Sequence, residues 1–100
     1  MEKAITGIIR ILKNIKSYIN TKSSNLLMFS FDTSKEVINL IDDHIKRLSR
    51  RDISKINDLI VLFLPTSDFQ EIAISNGWSE EYLEMAKEFD NLINSLKKEL

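Results

Sequence analysis

The stretch SEEYLEMAKEFDNLINSL, residues 79–96, decides the fold. Tyr82, Met85, Ala86, Phe89, Leu92, Ile93 and Leu96 recur at three- and four-residue steps, the period of one helix face. Ser79 is expected to cap its start, and Glu80 and Glu81 suit the positive end of the helix dipole. Lys97 and Lys98 suit the opposite end.

Working upstream, Asn76-Gly77 closes a short helix through Ile72 and Ile74, with Gly77 supplying a left-handed turn position. Ser67 and Gln70 form a capping box at its start. Leu64-Pro65 ends a preceding helix, because a residue before proline avoids the α region. That helix, expected to be capped by Asp52, carries Ile53, Ile56, Leu59, Ile60 and Phe63. Before it, Val37, Ile41, Ile45 and Leu48 share a face opened by the pair Thr33 and Glu36. The first helix presents Ile5, Ile8, Ile9, Leu12, Ile15 and Ile19, widened by Ile11 and Tyr18, and ends in polar residues 21–25. Residues 26–31 form a short apolar run whose periodicity fits a strand or a buried connector equally. The expectation is an all-α fold, a compact bundle of four to five helices forming a single domain over residues 1–100.

Composition agrees. The chain has 100 residues, 43% apolar and 29% charged, with two glycines, one proline and no cysteine. That is too apolar for disorder and too poor in turn formers for a many-turned β protein. Without cysteine there is no disulfide, thiolate metal site or thiol nucleophile. The longest apolar run, residues 59–64, is far short of a membrane span, which needs about 18 residues. Arg10 and Lys13 interrupt the region where a signal peptide would be apolar. A cytoplasmic protein is expected.

The net charge of −1 hides an asymmetry. Residues 1–51 hold ten basic and five acidic side chains, or +5; residues 52–100 hold four basic and ten acidic, or −6. Glu80, Glu84 and Glu88 follow one another at four-residue steps, a spacing of like charges that weakens a helix. A purely structural surface would more often interleave lysines. The acids read either as a solvated face or as a docking surface for a cationic protein, where negative potential speeds encounter.

Catalytic signatures are missing: there is one histidine, no phosphate-binding glycine loop and no zinc-protease motif. His44 follows Asp42 and Asp43, but adjacent helical residues do not converge on an ion. Asp42 with Lys46 and Asp43 with Arg47 fit ion pairs one turn apart. Neither an enzyme nor a cofactor or metal is expected. Residues 70–89 imitate a helix-turn-helix, with Ala73, Gly77, Trp78 and Leu83 at matching spacing. Its second helix would offer Glu80, Glu81 and Glu84 to phosphates, so nucleic-acid binding there is unfavourable. The basic half, through Lys13, Lys16, Lys46, Arg47, Arg50 and Arg51, is the alternative nucleic-acid surface. A helical adaptor or homodimer is a further alternative.

Leu64-Pro65-Thr66, Gln70-Glu71, Asn76-Gly77-Trp78, Tyr82-Leu83 and Phe89-Asp90 together resemble a segment of small helical immunity proteins. Those proteins belong to bacterial contact-dependent growth inhibition and related polymorphic toxin systems. The resemblance covers residues 64–90. It implies a stoichiometric inhibitor, monomeric when free and heterodimeric with its cognate toxin, which would be a cationic domain such as a nuclease. The contact pool expected on that basis is Asp68, Glu71, Glu80, Glu81, Glu84 and Glu88, with Trp78 or Tyr82 as an apolar anchor.

Overall fold

The computed structural model describes residues 2–22, 34–64 and 68–99. Those residues form five helices: α1 (Glu2–Lys22), α2 (Ser34–Ser49), α3 (Ile56–Leu62), α4 (Asp68–Ser75) and α5 (Ser79–Lys98). No strand occurs among them. The apolar run at residues 26–31 and the caps expected of Thr33 and Ser67 lie outside the described residues.

α1 is the central element, packing against both α2 and α5, while α4 rests on α5. A helix enclosed by two neighbours needs a broad apolar arc. Ile5, Ile8, Ile11, Leu12, Ile15 and Ile19 are accordingly all buried, and Ile11 is deeper than the half-buried Ile9. On α5 the buried set is Tyr82, Met85, Phe89, Ile93 and Leu96, with Ala86 and Leu92 of the expected stripe half-buried beside it. The α1–α5 approach is close at Gly7, where an added Cβ would lie 2.8 Å from Leu92 Cδ1.

Two helix ends use the same backbone device. After α4, Gly77 has φ +82°, and the Trp78 amide donates to the Ala73 carbonyl at 3.0 Å. This is a Schellman closure with glycine in the left-handed position. After α2, Arg51 takes that role at φ 62°, with Asp52 N–H donating to Arg47 O at 2.8 Å and Arg51 N–H to Leu48 O at 3.0 Å.

Three local expectations are corrected. Asp52 does not cap α3: its carboxylate accepts from the Ser54 amide at 3.0 Å and the Ser54 hydroxyl at 2.6 Å. That local turn delays the helix to Ile56, with Lys55 in the cap position and no side-chain cap. Ser79 is the first residue of α5, and Trp78 occupies the cap position without a side-chain bond. Asp42 bonds Lys16 of α1 at 2.8 Å, not Lys46, whereas Asp43 does pair with Arg47 at 3.0 Å.

Candidate partner-binding surface

Aromatic packing sets the position of the acidic helix. Phe63, just past α3, stacks on Phe89 with ring centroids 3.9 Å apart and meets Phe69 of α4 edge-on at 5.3 Å. Trp78 stacks on Tyr18 of α1 at 4.9 Å and meets Tyr82 edge-on at 6.3 Å. These contacts fix one side of α5 and turn the other to solvent.

The expected contact residues therefore separate into groups. Glu80, Glu81 and Glu84 are exposed on α5, and Glu71 is exposed on α4. Among the described residues, no ion pair or hydrogen bond engages these four side chains. Glu88 is different: Arg10 of α1 pairs with it, which removes it from the open field. The side chain of Asp68 lies outside the described residues. Of the two expected anchors, Trp78 is 0% exposed and Tyr82 is 2% exposed, and the Tyr82 ring lies against the groove described below. The Trp78 indole N–H meets no acceptor among the described residues.

The basic half is compensated in part: Lys3, Lys13, Lys46 and Arg50 have no ion pair among the described residues, whereas four other cations do. Arg10 pairs with Glu88, Lys16 with Asp42, Arg47 with Asp43 and Asp52, and Arg51 with Glu2. The Arg47 hydrogen bond holds the Asp43 carboxyl below its ordinary range, and bonds from Ser54 do the same for Asp52. The acids of the first turns of α5 have no such partners, so a negative patch survives folding there.

Beside that patch runs an open groove of about 780 Å³. Phe63 and Ala86 form its floor, and Leu83, 54% exposed, forms a wall. Four carboxylates line it, Glu80, Glu81, Glu84 and Asp90, against the single cation Lys87. Leu83, Ala86 and Asp90 were not among the contact residues expected from the sequence. Their steps of three and four were the available signal, but the groove exists only because α3 ends beside α5.

His44 is 6% exposed on α2, and burial lowers its pKa. Among the described residues, no cluster of three or more histidines or acids is arranged to hold a metal ion. No helix among them is long and apolar enough to cross a membrane. No protein-family model matches the chain, and neither the curated proteins nor the solved structures yield a match.

Proposed function

We propose that this protein is a stoichiometric inhibitor of the immunity-protein kind. It binds a cationic toxin domain through the acidic surface of α5, in the cytosol of the cell that makes the toxin. A nuclease is the toxin class best matched, because its substrate cleft is built to receive phosphates. One observation carries the proposal: Glu80, Glu81 and Glu84 are exposed on neighbouring turns of α5, and no cation among the described residues pairs with them. Unscreened charge of one sign accelerates association with an opposite surface and rejects like-charged partners.

The test is co-expression with the C-terminal domain encoded by the gene immediately upstream. Expected are a one-to-one complex, protection of the cell, and an association rate that falls with salt. The Glu80→Lys, Glu81→Lys, Glu84→Lys triple variant should fold but lose protection. A triple variant that binds and protects like the parent would overturn the acidic-surface mechanism.

A further inference from the structure

Resting on that reading, we infer that the groove beside α5 receives a short partner segment carrying one apolar side chain flanked by lysine or arginine. Charge alone would call for a flat acidic surface. Here the carboxylates instead surround an apolar trough. Phe63 is 8% exposed at its floor, Ala86 is half-buried, and Leu83 stands in solvent at 54%. Leu83 lies outside the stripe of α5 that enters the core, so the bundle leaves about half of it in solvent. Glu80, Glu84 and Asp90 edge the same trough, and none has an ion-pair partner among the described residues.

The dimensions suit a segment and not a whole domain face. Glu80 and Asp90 are ten residues apart on one helix, a rise of about 15 Å. That length spans about ten helical or four to five extended residues. An apolar side chain seated between Leu83 and Phe63 would be desolvated at the centre, with cations meeting carboxylates at the rim. This is the division between core and rim that binding hot spots show. Lys87 lines the trough at one point and would turn away a cation placed opposite it, which fixes the register of the segment.

The experiment is selection of a displayed random 12-residue peptide library on the intact protein, followed by binding of one enriched synthetic peptide to variants. Enriched sequences are expected to place lysine or arginine on both sides of Leu, Ile, Met or Phe. Leu83→Asp should weaken that peptide at least tenfold, and Glu80→Gln with Glu84→Gln should weaken it and flatten its salt dependence. Leu83 is exposed, so its replacement leaves the core intact, and circular dichroism of the variant verifies this. Basic peptides that bind Leu83→Asp as tightly as the parent would overturn the groove and leave the acidic surface standing. Enriched peptides without basic residues, or no enrichment, would overturn the groove, while the acidic-surface reading stands or falls on protection by the Glu80→Lys, Glu81→Lys, Glu84→Lys variant.

Discussion

Phe63 lies face to face with Phe89, their ring centroids 3.9 Å apart and their planes within 10° of parallel. α3 is only seven residues long, too short to persist without tertiary contacts. Phe63 also touches Phe69, so one ring joins the end of α3 to α4 and α5. Phe63→Ala is expected to cost about 3–5 kcal/mol, the usual loss for a buried phenylalanine. Urea unfolding gives the value. Hydrogen exchange in the variant should rise first at residues 56–62, ahead of α1.

The two Schellman closures predict opposite outcomes. Gly77→Ala meets no atom within 4 Å, so its whole cost comes from the left-handed backbone, about 1 kcal/mol. Arg51→Gly relieves the same strain at φ 62° but forfeits exposed pairing with Glu2 and a bond to the Ser49 carbonyl. Since exposed pairs contribute little, Arg51→Gly should raise stability by about 0.5 kcal/mol. Thermal denaturation of the two variants, compared with the parent, checks both signs.

Gly7 and Leu92 should be coupled. Alanine is worth about 1 kcal/mol over glycine inside a helix. Its Cβ would press on Leu92, whose displaced rotamer costs about 0.5–1.5 kcal/mol, so Gly7→Ala alone should be close to neutral. In a Leu92→Ala background the same change should gain the full 1 kcal/mol. A double-mutant cycle by chemical denaturation measures the difference.

His44 makes stability fall on acidification. Burial lowers its folded pKa below the unfolded value of 6.5, with Asp43 and Asp58 opposing that shift and Arg47 adding to it. Below 6.5 the unfolded chain binds a proton that the folded chain resists, so stability declines from there down through the folded pKa. His44→Leu should lose this slope between pH 7 and 5. The further decline at lower pH, as the paired Asp43 and Asp52 protonate, should persist in that variant.

Arg10 tunes the charge of the proposed surface. Both members of the Arg10–Glu88 pair are well exposed, so Arg10→Ala should change stability by less than about 0.5 kcal/mol. It uncovers a further carboxylate on α5. Association with a cationic partner should therefore quicken at low salt and match the parent at high salt, as stopped-flow measurements would show.

The helices with long 3.6-residue periods were legible in the sequence. The stripes of α1 and α5 stand out because every apolar step reinforces the last, though Ile9, Tyr18, Ala86 and Leu92 at their margins are only half-buried. Starts were less legible, since a capping side chain has rival uses: Asp52 bonds Ser54, and the burial of Trp78 places it ahead of Ser79 in α5. The acids of α5 were visible as a row, but their counter-ions were not. Arg10 is 78 residues from Glu88, and Lys16 takes Asp42 across a helix interface. The groove was hidden for the same reason. Its floor and wall come from Phe63 and Leu83, which no local pattern connects.

The stacking of Trp78 on Tyr18 gives the molecule an internal optical reporter. This is the only indole in the chain, and it sits wholly inside the junction of α1 with the start of α5. Its emission will shift to the red when α1 detaches. Unfolding can therefore be followed from this one residue without an added dye.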